Sequence, residues 1–336
     1  MIASPPKLYL DTNHLVNIAR IQNNESLGSA EKYRENYVFI KRCMREGLCT
    51  IIFNFYAPLE WGEGKATEET VTQIADIFDQ SKCIYQLEED TNIYISEIMK
   101  HSKNLYPLIC FPDIPIMHYL KKGGSYTPAI TIIAKNVSDY NFGQVDGNRF
   151  PDDVPVVTIR EHVIKSLQWR EENPMLLQER ISGFKAAFEQ TKKQVGKNFT
   201  RLTKPEIIDW MKRFLQIDKV LRAAKLKTDV EGLLDCIDIA KCPAVNLYVK
   251  IRESLIKNKY GPEDNDCDDF AYLPVIPYAD ISLIEKRLMG QILKANKQFK
   301  TTVFCKPSDA ENTIRKILNL DNKSRFESYY STSFIS

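Results

Sequence analysis

The chain has 336 residues, of which 43% are hydrophobic and 27% are charged, and its formal net charge is +2. This length allows one enlarged domain or two smaller ones, and the hydrophobic share is sufficient for a buried core. The near-zero net charge excludes a protein whose whole surface attracts nucleic acid by its positive field.

Cysteine spacing and the absence of long apolar runs exclude further classes of protein. None of the eight cysteines forms a Cys-x-x-Cys pair, and Cys236 and Cys242 have no histidine nearby. We therefore predict free thiols in a reducing compartment rather than structural zinc. The first six residues lack the pattern of a secretion signal, and no apolar run reaches about 18 residues. We expect a soluble, cytoplasmic protein with no membrane partner.

The first ninety residues alternate between predicted strands and helices. Strands are predicted over 7–10, 49–55 and 83–87, and helices over 13–19, 29–45 and 67–78. Asn13 is the expected N-cap of the first helix, and Gly47 is the expected end of the second. This alternation favours an α/β fold whose sheet is at least partly parallel.

The middle of the chain departs from this alternation. Residues 107–158 are rich in proline and glycine and are predicted to be loop with short helices. Helices are predicted over 160–171, 175–195 and 204–224. From Arg160 to Thr228 the sequence carries 16 Lys and Arg against 8 Asp and Glu, a net charge of +8. A basic helical insertion therefore interrupts a remainder with a net charge of −6.

Strand signals return near the end of the chain. Strands are predicted over 281–284 and 301–304, and helices over 244–257, 282–295 (beginning soon after its strand) and 310–320. Ser308 is the expected cap of the last helix. Residues 321–336 are rich in Ser and Tyr and are predicted to form a flexible tail.

Acidic residues are placed next to several predicted strands. Asp11 ends the first strand, Glu60 lies in the turn after the second, and Glu285 ends the strand that begins at 281. Asp269 opens a helix that runs back before that strand. In a parallel sheet all four positions share the carboxyl-terminal edge. Converging carboxylates are the ligands that Mg²⁺ and Mn²⁺ prefer, so the pattern predicts a metal site.

Two further acids lie close to this set in the sequence. Asp280 starts the strand that Glu285 ends, roughly 16 Å away at about 3.3 Å per residue. Both cannot contact one ion unless the strand is very short or bent. We prefer Glu285 as the ligand and Asp280 as a capping or supporting residue, and keep Asp280 and Asp266 as candidate metal ligands.

The order of these motifs resembles the PIN-domain ribonucleases. That family has an Asp after its first strand, often as Asp-Thr-Asn, and a Glu after the second. A late acid opens a helix, and a last acid ends the next strand. Asp11, Glu60, Asp269 and Glu285 stand at those positions here. Tyr272 stands where members often carry His, and Glu285 stands where Asp is usual.

The resemblance covers residues 7–90 and 244–320 and implies both a fold and an activity. The implied fold is a three-layer α/β/α domain over 1–320 with a mostly parallel sheet, interrupted by a mostly helical insertion at about 91–243. The implied activity is Mg²⁺- or Mn²⁺-dependent hydrolysis of RNA phosphodiester bonds.

Roles for the site residues follow from the same resemblance. Asp11, Glu60 and Asp269 would hold the principal ion, Glu285 a second ion or the attacking water, and Asn13 would orient Asp11 or the substrate phosphate. PIN nucleases often act as bacterial toxins of toxin–antitoxin systems or as antiviral effectors. We therefore expect an RNA substrate and a protein partner that restrains or activates the enzyme.

Two alternatives remain open. A phosphatase would use Asp11 as nucleophile, but its chemistry typically requires a second Asp where Asn13 stands. A non-catalytic RNA-binding or scaffold protein with a degenerate site is the alternative from another class. His14, next to the acid site, is interpreted as a spectator.

Overall fold

The structure is a computed structural model. It describes residues 5–54, 68–81, 83–87, 94, 97–98, 116–120, 125–126, 157–195, 199–215, 230–257, 273–295 and 301–320. The strands in these ranges are β1 Lys7–Leu10, β2 Thr50–Asn54, β3 Cys83–Leu87, β4 Ile116–Leu120, β5 Ser125–Tyr126, β6 Val157–Thr158, β7 Ile281–Leu283 and β8 Thr302–Phe304.

Helices connect and cover these strands. The α-helices are α1 Thr12–Gln22, α2 Arg34–Glu46, α3 Glu68–Gln80, α4 Ile159–Glu172, α5 Pro174–Val195, α6 Lys204–Leu215, α7 Val230–Cys236, α8 Pro243–Lys257, α9 Lys286–Ala295 and α10 Pro307–Ile317. Short 3₁₀ helices cover Gly28–Tyr33, Ile239–Lys241 and Leu273–Tyr278. In the part of the chain that the structure describes, no helix combines the length and apolar character needed to cross a membrane.

Six strands form one sheet in the order β4-β3-β2-β1-β7-β8. Five adjacent strands of this sheet are parallel to one another: β3, β2, β1, β7 and β8. The edge strand β4 is antiparallel to β3. The strand β1 is central, with Leu8 paired to Ile51 on one side and to Ile281 on the other. The prediction of an α/β fold with a mostly parallel sheet is therefore confirmed.

The central strands are covered on both faces. Leu8, Tyr9 and Leu10 are consecutive in β1, and all three are buried. Because successive side chains of a strand point to opposite faces, both faces of the sheet must be shielded from water here. Burying each such side chain contributes roughly 1.5–3 kcal/mol, so this apolar run anchors the fold.

Two groups of helices pack around the sheet. In one, α1 contacts α2 and α3, and α2 also contacts α10. In the other, α8 contacts α9, α5 and the 3₁₀ helix Leu273–Tyr278. Helix α4 packs against α3. The helical middle of the chain is therefore joined to the α/β body by direct helix packing.

Helix α8 is capped by a side chain that is distant in sequence. Glu97 is buried, and its two carboxylate oxygens accept hydrogen bonds from the backbone N–H groups of Ala244, at 2.7 Å, and Val245, at 3.0 Å. The Tyr278 hydroxyl donates a third. A carboxylate at a helix N-terminus satisfies donors that have no partner within the helix. Glu97 thus ties its own segment to α8 and to the 3₁₀ helix.

The structure corrects two predicted helix caps. Asp11, not Asn13, is the N-cap of α1, and its side chain accepts a hydrogen bond from Thr12 N–H at 2.8 Å. Asn13 already lies inside the first turn. In α10 the N-cap is Lys306, which makes no side-chain cap, because Pro307 starts the helix before Ser308. The predicted stop at Gly47 is confirmed, since Gly47 has the left-handed φ of 76°.

The structure also corrects the prediction of loop and short helices over 107–158. Ile116–Leu120 forms the edge strand β4, with Leu120 paired to Cys83 of β3. A strand from within the predicted insertion therefore belongs to the main sheet. Residues 216–224 of a predicted helix and the predicted tail at 321–336 lie outside the described ranges.

Candidate metal centre

Asp11 and Glu285 lie together at the carboxyl-terminal edge of two neighbouring parallel strands. Asp11 directly follows β1, and its backbone N–H donates to the carbonyl of Leu283, the last residue of β7, at 3.0 Å. Glu285 follows two residues later. The parallel register Leu10↔Leu283 brings both strand ends to the same level of the sheet. The fold therefore assembles this pair from opposite ends of the sequence.

The carboxylate of Asp11 is held by backbone donors from both sides. One oxygen, Oδ1, accepts from Thr12 N–H at 2.8 Å, and the other, Oδ2, accepts from Glu285 N–H at 3.1 Å. A carboxylate has about four lone-pair sites, so each oxygen keeps capacity for a further contact. Asp11 is only 7% exposed. The group is consequently fixed in direction and remains able to bind a cation.

Burial and a neighbouring charge both oppose ionisation of Asp11. Burial, and then the negative charge of Glu285, raise the pKa of Asp11 from 3.8 to about 6, against hydrogen bonds from Thr12 and Glu285 that lower it. Glu285 itself is exposed. Two acids of this kind, one buried and one open to solvent, create a place where a positive ion would be stabilising.

Two helices begin beside this pair. Helix α1 starts at Thr12 and α9 starts at Lys286, and the Glu285 carbonyl accepts the N–H of Met289 in the first turn of α9. Helix N-termini carry partial positive charge and favour carboxylates and phosphate groups. The edge therefore combines acids that attract a cation with backbone dipoles that attract an anion.

Of the remaining predicted site residues, the structure describes Asn13 and Asp280. Asn13 is exposed in the first turn of α1, next to Asp11. Asp280 lies at the opposite, amino-terminal edge, where its carboxylate accepts a hydrogen bond from Lys7 N–H at 2.7 Å. This placement separates Asp280 from Asp11 and agrees with a supporting role. Glu60, Asp266 and Asp269 lie outside the described residues.

Across the described ranges, no three His, Cys, Asp or Glu side chains are grouped so that they could hold a metal ion. Asp11 and Glu285 supply two of the four predicted carboxylates, and both are oxygen donors suited to a hard cation. Strand β2 ends at Asn54 at the same edge of the sheet, six residues before Glu60 in the sequence. The two described donors, Asp11 and Glu285, are of the oxygen type that Mg²⁺ and Mn²⁺ prefer.

A buried polar network behind the pair was missed by sequence analysis. His14 is 7% exposed, and its ring nitrogens contact the Tyr37 hydroxyl at 2.8 Å and the Ile284 carbonyl at 3.4 Å. The Tyr37 oxygen also accepts a hydrogen bond from the Asn17 side chain at 3.1 Å. The available signal was the i, i+3 spacing of Asp11 and His14, which places both at the start of α1.

Comparisons with protein-family models, with curated proteins and with solved structures found no match to this chain.

Proposed function

We propose that the protein is a Mg²⁺- or Mn²⁺-dependent endoribonuclease of PIN-like type, with its active site at the carboxyl-terminal edge of β1 and β7. The observation that carries the proposal is the pairing of Asp11 and Glu285. Their motifs are 274 positions apart in sequence, yet the Glu285 N–H donates to the Asp11 carboxylate.

The electrostatics of Asp11 support a bound cation. A carboxyl group whose pKa is raised to about 6 beside another acid is costly to ionise. A divalent ion between the two groups would offset both burial and mutual repulsion. Structural N-caps do not need such an arrangement, because an isolated Asp satisfies the helix by itself.

Phosphodiester hydrolysis is the reaction best matched to these groups. When bound, a divalent ion would neutralise charge on the phosphate oxygens and lower the pKa of the attacking water. Asp11 and Glu285 would hold the ion, with Glu60 and Asp269 completing the set. The N-termini of α1 and α9 would attract the phosphate group.

RNA is the proposed substrate class for two reasons. The PIN-like order of acids is typical of ribonucleases, and the segment from Arg160 to Thr228 carries a net charge of +8 that can contact phosphates. A sheet covered on both faces, with two groups of helices around it, is also compatible with the α/β/α architecture of that family. We further propose a role as a bacterial toxin or antiviral effector that a protein partner controls.

Incubation of the full chain with total RNA and Mn²⁺ tests this proposal. We expect cleavage by the wild type, its loss in EDTA, and its loss in Asp11→Asn, which keeps the side-chain size and one acceptor oxygen. Asp309→Asn is the control, because Asp309 is likewise an acid at the start of a helix that follows a parallel strand, in its first turn rather than at its N-cap.

Two results of this RNA-cleavage experiment would contradict the proposal. Equal cleavage by the wild type and Asp11→Asn would show that the activity arises elsewhere or from a contaminant. Absence of both cleavage and Mn²⁺ binding in the wild type would favour the non-catalytic RNA-binding or scaffold alternative.

A further inference from the structure

The peptide group between Ile284 and Glu285 is held from both sides by side chains of the α1 N-terminus. Its N–H donates to Asp11 Oδ2 at 3.1 Å, and its carbonyl accepts from His14 Nε2 at 3.4 Å. The two side chains are three residues apart, one helical turn, and so reach the same peptide. We call this arrangement the α1 clamp.

The flanking backbone groups show why the clamp matters. The N–H of Ile284 donates to Phe304 in β8 at 2.9 Å, and the carbonyl of Glu285 accepts from Met289 in α9 at 3.0 Å. Sheet and helix therefore satisfy the outer groups, and among the described residues the α1 clamp supplies the partners of the inner two. These two residues join β7 to α9, so the clamp determines how the chain turns where Glu285 projects.

Hydrogen-bond polarity allows only one neutral form of His14. A backbone carbonyl can only accept, so Nε2 must carry the proton and Nδ1 must accept from the Tyr37 hydroxyl. The Tyr37 oxygen in turn accepts from Asn17. Burial lowers the pKa of His14 to about 4, so the ring is neutral at pH 7. Every member of the chain Asn17–Tyr37–His14–Ile284 has one defined role.

We propose that His14 is a positioning residue, which together with Asp11 orients the Ile284–Glu285 peptide and thereby directs the Glu285 carboxylate toward Asp11. The clamp rests on geometry alone, whereas its consequence for metal affinity rests on the proposed function. Tyr37 acts one step behind, by fixing the ring of His14. The residue interpreted as a spectator in the sequence thus supports the acid pair.

Two measurements test the α1 clamp and its effect on metal affinity separately. The first is the hydrogen-exchange rate of the Glu285 amide in the metal-free full chain, and the second is Mn²⁺ affinity by calorimetry. The variants are His14→Leu, which removes both ring contacts, and His14→Gln, whose amide NH₂ can donate and whose amide oxygen can accept. Tyr37→Phe removes a single hydroxyl and keeps the buried ring, so it tests the network if His14→Leu does not fold.

A matched control is available at the other edge of the sheet. Ser81 is buried and donates from its hydroxyl to the Ile77 carbonyl at 2.7 Å. Ser81→Ala therefore removes a comparable buried bond to a backbone carbonyl without touching the acid pair. Its effect on Glu285 exchange and on Mn²⁺ affinity gives the baseline for general loss of stability.

We expect His14→Leu to weaken Mn²⁺ binding about tenfold, as removal of supporting groups around metal ligands usually does. Glu285 amide exchange should accelerate more than in Ser81→Ala, His14→Gln should restore both readouts in part, and Tyr37→Phe should fall between.

Each contrary result has one meaning. Unchanged Glu285 exchange in His14→Leu and Tyr37→Phe overturns the clamp. A second outcome is that the wild type binds Mn²⁺, Asp11→Asn does not, and His14→Leu binds it with wild-type affinity. This outcome overturns the positioning role of His14 and leaves the proposed function standing. Faster Glu285 exchange in a protein that does not bind Mn²⁺ supports the clamp and overturns the proposed function.

Discussion

Lys7 and Asp280 exchange two hydrogen bonds at the amino-terminal edge of the sheet. Lys7 N–H donates to Asp280 Oδ2 at 2.7 Å, and Asp280 N–H donates to the Lys7 carbonyl at 2.9 Å. Asp11 lies four residues further along β1, roughly 13 Å away at about 3.3 Å per residue. The two acids that the sequence places around β1 and β7 therefore serve opposite edges.

This separation predicts different effects of two identical substitutions. If the proposed function holds, Asp11→Asn should abolish Mn²⁺ binding, because it removes the charge of the buried proposed ligand. Asp280→Asn should leave the affinity unchanged and alter the free energy of unfolding by less than about 1 kcal/mol, since the amide oxygen still accepts from Lys7. Calorimetric titration and urea unfolding measure the two quantities. Loss of Mn²⁺ binding in Asp280→Asn alone would contradict the placement of the site.

Glu285→Gln should lower the pKa of Asp11. The charge of Glu285 is the second cause of the raised pKa, after burial, and the N–H that Glu285 donates belongs to the backbone and is retained. The pKa of Asp11 should therefore fall below its present value of about 6. Carboxyl ¹³C shifts over a pH titration report this value. A pKa equal to that of the wild type would show that the Glu285 side chain points away from Asp11.

Stability should fall as pH rises through the range in which Glu97 ionises. Burial raises the pKa of Glu97 from 4.5 to about 7, against hydrogen bonds from Tyr278, Ala244 and Val245 that lower it. The folded state therefore retains a proton that the unfolded chain has lost. The stabilisation is complete below pH 4.5 and disappears by about pH 7, a change on the order of 3 kcal/mol.

Urea unfolding at several pH values of wild type and Glu97→Gln measures this contribution as a difference. The difference is needed because ionisation of Asp11 lowers the stability of the protein over an overlapping pH range, from 3.8 to about 6. Tyr278→Phe removes a hydrogen bond that lowers the pKa of Glu97, so it should move the loss of stability to higher pH. Parallel pH profiles of wild type and Glu97→Gln would contradict the prediction.

Truncation in the central strand should be far more costly than truncation on a helix surface. Leu8 is fully buried at the centre of β1, whereas Leu293 of α9 is 45% exposed. Leu8→Ala should lower the free energy of unfolding by about 2–5 kcal/mol. Leu293→Ala should change it by less than about 1 kcal/mol. Urea unfolding gives both values, and similar losses would show that β1 is not the core of the sheet.

Local patterns identified the elements whose signals are contained in short segments. The bounds of β3, Cys83–Leu87, agree with the prediction, and α8 was predicted one residue short of its observed start at Pro243. The edge strand β4 was missed because nearby prolines and glycines favour loop, while its pairing with β3 depends on residues 29 to 37 positions away. The N-cap of α1 was predicted at Asn13, two residues too late, because Asp and Asn are both preferred caps and only the backbone angles distinguish the two positions.

The candidate site likewise has features that were predictable from the sequence and features that depend on tertiary packing. The strand-end positions of Asp11 and Glu285 follow from the order of strands in a parallel sheet, so their proximity was predictable. The roles of His14 and Tyr37 were not, because their contact depends on how α2 packs on α1. The i, i+3 spacing of Asp11 and His14 indicates only that both stand at the start of α1, and it does not show that His14 will contact the Ile284 carbonyl.

The position of β1 in the middle of the sheet also affects synthesis of the protein. Its partner β7 is translated about 270 residues later, which takes tens of seconds at typical elongation rates. Until then the nascent chain exposes one hydrogen-bonding side of an apolar strand, and Asp11 exists without Glu285. Prematurely terminated products that stop before Ile281 lack half of the acid pair, so the ribosome would release the proposed nuclease in active form only when translation has passed Glu285.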